Sequence, residues 1–290
     1  MTDVSAPELL LDTHQHLVLA DRFGYAWTDG LPALRCRAFT LDDYRNSTEG
    51  CGIGRTLFME TAADEADWQD EARHVRSLAD DPGNRIAGVI ASCRPESDAA
   101  AFDAWLDETG PSGVAGYRRI LHTEPDALSD SDGFVRNVRE IGRRGKTFDL
   151  CFLQRQLPLA LQLAERCDNT SLVLDHCGVP DIASGDFAEW RAQVRKLAAL
   201  PHVHCKLSGV VAYCPEGSDI EASIRPYVEF CIEVFGADRC VWGSDWPVCN
   251  LTCGVAGWVA AFRSILAAES ADARRAIYSA NAERIYAVRA

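Results

Sequence analysis

No C-x-x-C pair occurs among the 12 cysteines, whose tightest spacing is Cys249 to Cys253. Zinc ribbons and thioredoxin-like redox centres therefore lose their main support. Cys151, Cys177, Cys205 and Cys240 lie inside apolar runs, where a reduced thiol packs as a small hydrophobe, so a reduced set is expected in preference to disulfides. Positive charge is also short: 29 Lys+Arg against 43 Asp+Glu leaves −14, which argues against a nucleic-acid partner. Residues 1–7 carry no basic stretch, and Leu9-Leu10-Leu11 is far too short for a signal core or a membrane span, so a cytoplasmic protein with no membrane partner is expected. There is no G-x-S-x-G elbow, no P-loop and no G-x-G-x-x-G after a strand, which removes the usual signatures of serine hydrolases, nucleotide hydrolases and dinucleotide oxidoreductases.

What is present is an ordinary globular composition, 47% hydrophobic and 25% charged, over 290 residues. Short β-rich runs at 9–16, 55–60, 85–91, 114–121, 146–152, 171–177, 203–208 and 239–245 alternate with helix-like segments, as in a parallel sheet of βα units. Eight such units predict a single (β/α)8 TIM barrel over residues 1–290, a fold that typically needs about 250 residues. Helical faces are expected at Trp68, Ala72, Val75 and Leu78, at Ile224, Tyr227, Cys231 and Val234, and at Val255, Trp258, Val259 and Phe262. Pro158 marks a helix start and Gly236 a helix end. Residues 19–48 show no clear period and read as a long first βα loop, of the kind that lies over an active site.

In such a barrel the active groups come from the C-terminal ends of the strands. His14 and His16 are two apart on the first strand, so both imidazoles can converge on a metal or an oxyanion, or can serve as hydrogen-bonded core fillers. Asp245, between Val241-Trp242 and Pro247, suits a metal ligand, a general base for water, or a turn aspartate. Strict alternation lets only one of Asp175 and His176 face the barrel. Lys206 either holds a substrate oxygen or pairs with Asp175 or Asp245. Glu60 is an extra ligand or a partner for Lys206 or Arg118, and Arg118 binds a substrate oxygen or spans the barrel as an ion pair.

Five motifs stand in order: Asp12-Thr13-His14-Gln15-His16, Asp175-His176-Cys177-Gly178, Cys205-Lys206-Leu207-Ser208-Gly209, Gly243-Ser244-Asp245-Trp246-Pro247 and Asn281-Ala282-Glu283-Arg284-Ile285-Tyr286. Together they resemble the amidohydrolase superfamily, in the amidohydrolase-related branch that contains the sugar and aromatic lactonases, over nearly the whole chain. The resemblance implies hydrolysis of a small ester-like ring, with Asp245 as base, His14 and His16 as the first-strand pair, His176 as the sixth-strand histidine and Arg118 as the fourth-strand arginine on substrate. No lysine ends the fourth or fifth strand to bridge two ions, so at most one divalent ion is expected, zinc first, held by some of His14, His16, Glu60, His176 and Asp245. Some lactonases of this branch work without metal.

The first functional reading is a sugar lactonase opening an aldono-1,5- or 1,4-lactone, with Trp27 and Trp246 stacking on the ring and Asn250 and Lys206 binding hydroxyls. The second is a lactonase for a carboxylated pyrone or muconate lactone read by Arg118, Arg119 and Arg155, of which only one of the adjacent pair can enter the barrel. A metal-dependent decarboxylase of the same superfamily and a barrel that only binds ligand are the remaining alternatives.

Overall fold

Eight parallel strands follow one another around the sheet in chain order: β1 (Leu10–Gln15), β2 (Ile53–Met59), β3 (Ile86–Ser92), β4 (Val114–Ile120), β5 (Thr147–Cys151), β6 (Ser171–Leu174), β7 (Val203–Leu207) and β8 (Cys240–Trp242). The computed structural model describes residues 8–35, 37–111, 113–185 and 187–288. The first seven residues and Cys36 lie outside them. The ring closes past the strand ends, where Gln15 bridges Trp246 and the Asp245 N–H donates to the His14 carbonyl at 2.8 Å. This is the (β/α)8 barrel that the alternation of the sequence implies.

The helices are α1 (Leu41–Thr48), α2 (Trp68–Ala79), α3 (Ala99–Thr109), α4 (Asp132–Arg143), α5 (Leu157–Arg166), α6 (Phe187–Ala198), α7 (Ile220–Phe235) and α8 (Gly254–Ile265), and from α2 onward each is amphipathic and buries one stripe on the barrel. Val75, Ile224, Trp258 and Phe262, all on expected faces, are buried in that layer. Pro158 sits in the first turn of α5 and Gly236 caps α7 with φ 80°. Inside the barrel, Leu11, Leu57, Met59, Ile90, Val173 and Val241 pack against Ala282, Ile285 and Tyr286, which flank the end of the short α10 (Asn281–Ile285), itself preceded by α9 (Ala271–Arg275). The Asn281 amide donates to the carbonyls of Ala237 and Cys240, fixing that segment to β8.

Three expectations need correction. Residues 19–48 are not all loop, because α1 occupies Leu41–Thr48. It buries only Tyr44 and so shows no period, but its Thr40–Asp43 capping box is a start signal written in the sequence. The sixth and eighth strands stop at Leu174 and Trp242, short of the expected 177 and 245. Beyond them the chain turns through left-handed backbone at His176 (φ 54°), Cys177 (φ 55°) and Asp245 (φ 57°), conformations that non-glycine residues seldom adopt and that cluster at functional sites.

All eleven described cysteines are free, and all but Cys51 and Cys253 are buried. Among the described residues, no helix is long and apolar enough to cross a membrane.

Candidate active site

The left-handed turn after β6 changes which side chains reach the barrel mouth. Alternation stops at Leu174, so Asp175 and His176 both face inward: Asp175 Oδ1 lies 3.6 Å from His14 Nδ1, and the His176 ring is 4.5 Å from that of His14. His14 and His16 meet edge to face at 4.8 Å, and both Nε2 atoms converge on Asp245 Oδ1, at 3.5 and 3.3 Å. Two motif glycines make room. A Cβ on Gly209 would lie 2.2 Å from His176 Nδ1, and one on Gly243 would lie 2.6 Å from the His14 Cβ.

Hydrogen bonding fixes the imidazole tautomers. The Met59 carbonyl, 3.0 Å from His16 Nδ1, can only accept, so that nitrogen carries a proton and Nε2 is the atom turned toward Asp245. Arg118 Nη1, 3.2 Å from His14 Nε2, can only donate, so the His14 proton sits on Nδ1, facing Asp175. Burial, reinforced by the charges of His176 and Lys206, holds His14 well below the ordinary imidazole range, and burial likewise lowers His176. The two Nε2 atoms and the Asp245 carboxylate thus face one another, with His14 Nε2 also meeting Arg118 Nη1. That donor set suits a divalent cation, and the ring N–H groups aimed at a carbonyl and a carboxylate are the outer contacts that orient metal-binding histidines.

Beneath this cluster lies a buried charge network. Arg118 donates from Nε to Glu60 Oε1 at 2.8 Å, from Nη2 to the Glu60 carbonyl at 2.7 Å and from Nη1 to Asp175 Oδ2 at 3.1 Å. With His14 that commits four of its five N–H groups. Lys206, fully buried, pairs with Asp149 and lies 3.1 Å from Asp175 Oδ1. Burial alone would raise Asp175, but Lys206, Arg118 and His176 hold it down as the carboxylate. Asp12 ties the two halves of the site together, accepting from the N–H groups of Ser244 (2.7 Å) and His14 (3.0 Å) and from the Tyr44 hydroxyl (2.7 Å).

Above the floor opens a cavity of about 390 Å³, lined by His16, Trp27, Glu60, Arg118, His122, Cys151, His176, Tyr213 and Asp245 among others. Residues 11–288 match the family model for amidohydrolases. The chain belongs to the amidohydrolase family. It is 31% identical to the L-fucono-1,5-lactonase of Burkholderia multivorans over 97% of this chain and 96% of the relative. It is 29% identical to the L-fucono-1,5-lactonase of Burkholderia ambifaria over 83% and 81%. A crystal structure of an amidohydrolase from Burkholderia multivorans with bound zinc superposes with a TM-score of 0.87 at 30% identity, over 97% of this chain and all of that one (100%).

Within this amidohydrolase the expected site residues separate. His14, His16, His176, Asp245, Glu60 and Arg118 come together, and Trp27 stands at the cavity wall with its indole N–H on the Thr61 carbonyl at 2.8 Å. Lys206 lies under the floor, not on the cavity, and its partners are Asp149 and Asp175, not Asp245. Trp246 is 1% exposed and packs edge-on against Phe39 and Tyr44 behind the wall, so it does not meet a ligand. Asn250 is exposed in the turn after β8, outside the cavity. Arg155 is likewise outside, paired with Asp126. Glu60 lines the cavity, but its oxygens serve Arg118 and the Ala62 N–H, and it joins none of the metal-binding groups found among the described residues.

Asp12, Asp149, His122 and Tyr213 were given no role from the sequence. Asp12 opens the first motif, and Asp149 alternates with the apolar Phe148 and Leu150 of a barrel strand, where a lone carboxylate requires a buried cation. His122 and Cys151 stand at the ends of β4 and β5, the positions where active groups concentrate. Tyr213 sits in a turn after β7, and nothing in its local pattern marks it.

Proposed function

We propose that this amidohydrolase opens a small neutral sugar lactone, an aldono-1,5- or 1,4-lactone of six carbons like L-fucono-1,5-lactone, to the aldonic acid. The observation that carries the reading is the Asp245 carboxylate set at the cavity beside His16, with the buried His14 against it from below. That is the arrangement needed to hold a water and take its proton. Asp245 acts as the general base. His176, held through Nδ1 on Ser208 Oγ at 2.9 Å, and the remaining Arg118 N–H border the place where the carbonyl oxygen gains charge. His14, His16 and Asp245 are the residues that would hold a divalent cation, which when bound supplies Lewis-acid polarisation and a lower water pKa. The cavity falls in the size range of small-ligand sites, about 300–1,000 Å³.

Neutral substrate is favoured by the charges on the wall. Arg94, Arg118 and Arg119 line the cavity, but each is already paired, Arg94 with Glu65, Arg118 with Glu60 and Asp175, and Arg119 with Glu96 and Glu124. Glu60, Asp64, Glu65, Glu124 and Asp245 line the same space. A dicarboxylate would meet more negative than positive charge there. The test is a panel of aldonolactones, carboxylated pyrone and muconate lactones, and aromatic acids, followed by proton release or loss of carbon dioxide. Six-carbon and 6-deoxy sugar lactones are expected to give the highest kcat/KM. Preference for carboxylated lactones, or decarboxylation, would overturn the reading.

A further inference from the structure

The ends of β4 and β5 carry a pair that the hydrolytic scheme above leaves unused. Ile120 and Cys151 are register partners, and the Leu121 N–H donates to the Cys151 carbonyl at 3.1 Å. The Gln156 amide holds the Leu121 carbonyl at 3.3 Å. On this braced backbone His122 Nδ1 sits 3.4 Å from Cys151 Sγ, and both residues line the cavity beside Arg118, His176 and Tyr213.

A cysteine and a histidine in contact inside a catalytic cavity can be a nucleophile and its base, or a neutral thiol donating to a ring nitrogen. The surroundings decide for the second. A thiolate at Cys151, 1% exposed, would be desolvated, and the attraction of Arg118 would be opposed by the negative charge of Asp175, Glu60 and Asp245. A proton on His122 would be repelled by the permanent cation of Arg118. Consistently, burial pushes the thiol up to about 12, and burial with Arg118 and His176 pulls the imidazole down to about 4. Both groups are therefore uncharged at neutral pH. The thiol has one proton and the imidazole nitrogen facing it is the better acceptor, so S–H donates to Nδ1 and the ring proton resides on Nε2.

We propose that Cys151 locks His122 as the Nε2–H tautomer, making His122 a neutral hydrogen-bond donor that positions a ring hydroxyl of the substrate. Cys151 is then a positioning residue and forms no covalent bond. A neutral donor suits a polyhydroxy ring because it offers its N–H to a hydroxyl without bringing a charge that the neutral ring does not match. The role as substrate contact rests on the lactone reading above; the tautomer does not.

The test uses the full chain and four variants, His122→Ala, His122→Gln, Cys151→Ala and Cys151→Ser. Loss of one neutral hydrogen bond to substrate is expected to cost about tenfold in kcat/KM for His122→Ala, chiefly through KM, with most of it restored by the amide of His122→Gln. Cys151→Ser keeps an O–H donor and should stay within about threefold of wild type, whereas Cys151→Ala should fall below it. Nitrogen-15 imidazole NMR should show one His122 tautomer, protonated on Nε2, in the wild type and in Cys151→Ser, and a mixture in Cys151→Ala. Serine as inactive as alanine at 151, with an acyl adduct on the wild-type chain by intact mass, would replace the proposal with the nucleophile reading. Unchanged KM in His122→Ala, or an Nδ1–H tautomer, would also overturn it. If wild type hydrolyses no lactone in the panel, the functional reading fails while the NMR still decides the tautomer.

Discussion

His16 joins the backbone of β2 to the carboxylate of Asp245: its Nδ1 lies 3.0 Å from the Met59 carbonyl and its Nε2 lies 3.3 Å from Asp245 Oδ1. The ring cannot turn without losing the buried bond to Met59, so Nε2 stays aimed at the acid. Asp245 is held from behind by its own N–H on the His14 carbonyl. Asp245→Asn keeps the shape and that backbone bond but removes the carboxylate proposed as the base. It should unfold near the wild-type midpoint and lose about 10² or more in kcat, the lower range for general base catalysis. Near wild-type turnover of a folded variant would take the role away from Asp245.

The same atoms bear on metal content. His14, His16 and Asp245 can serve one ion. A second group, His14, Asp175 and His176, shares His14 with the first; its Asp175 is engaged by Arg118 and Lys206, and its His176 Nδ1 faces Ser208. Elemental analysis of the purified enzyme should find no more than one divalent ion per chain, and His16→Ala should abolish its retention. Two stoichiometric ions would contradict the assignment. A lactone carbonyl is already electrophilic, so activity that survives exhaustive chelation would place the work on the arginine and imidazole donors.

The barrel was legible because eight apolar runs alternate with amphipathic segments, a pattern imposed by burying both faces of a parallel sheet. His14, His16 and Asp245 were legible because motif and strand end coincide. The expectation that only one of Asp175 and His176 faces the barrel fails because alternation does not extend past Leu174, where the backbone has left the strand and two successive side chains point the same way. Trp246 illustrates a different limit. A tryptophan beside an aspartate at the barrel mouth has no local mark that tells a stacking platform from a core residue, and here Phe39, before α1, and Tyr44, within it, cover it. The Lys206 partners follow from the closure of the barrel, since Asp149 lies 57 residues away in sequence and on a strand that does not neighbour β7.

That pairing makes Lys206 a structural test. Its ammonium is surrounded by Asp149, Asp175 and the Tyr286 ring, with no access to solvent. Lys206→Met fills a similar volume but leaves Asp149 buried without a cation and Asp175 with Arg118 alone, a loss of about 3–5 kcal/mol by analogy with broken buried pairs. Urea unfolding should register it. Lys206→Met with Asp149→Asn should recover part of the loss, since one uncompensated charge is removed. A single variant as stable as wild type would show that the pair contributes nothing net.

Glu71 supplies the pH test. The side chain is 1% exposed on α2, where it accepts from the Tyr25 hydroxyl at 3.0 Å and the Thr61 N–H at 3.2 Å. Burial, with the charge of Glu60 behind it, raises Glu71 to about 8 from the ordinary 4.5. The folded protein therefore holds this proton up to about pH 8, whereas the unfolded chain releases it near pH 4.5. Between those values the native state binds more protons than the unfolded state, so stability falls as pH rises. The contribution is complete below about pH 4.5 and is gone above about pH 8, a swing on the order of a few kcal/mol. Glutamine is uncharged at every pH and keeps an acceptor for Tyr25 or Thr61. Glu71→Gln should accordingly lose less stability than wild type between about pH 4.5 and 8, read as Tm or as the urea midpoint. Because His14 and His176 titrate in both proteins, the difference between the two curves isolates Glu71. Parallel curves would mean that Glu71 is already ionised in the folded state and that its burial is compensated by partners other than Tyr25 and Thr61.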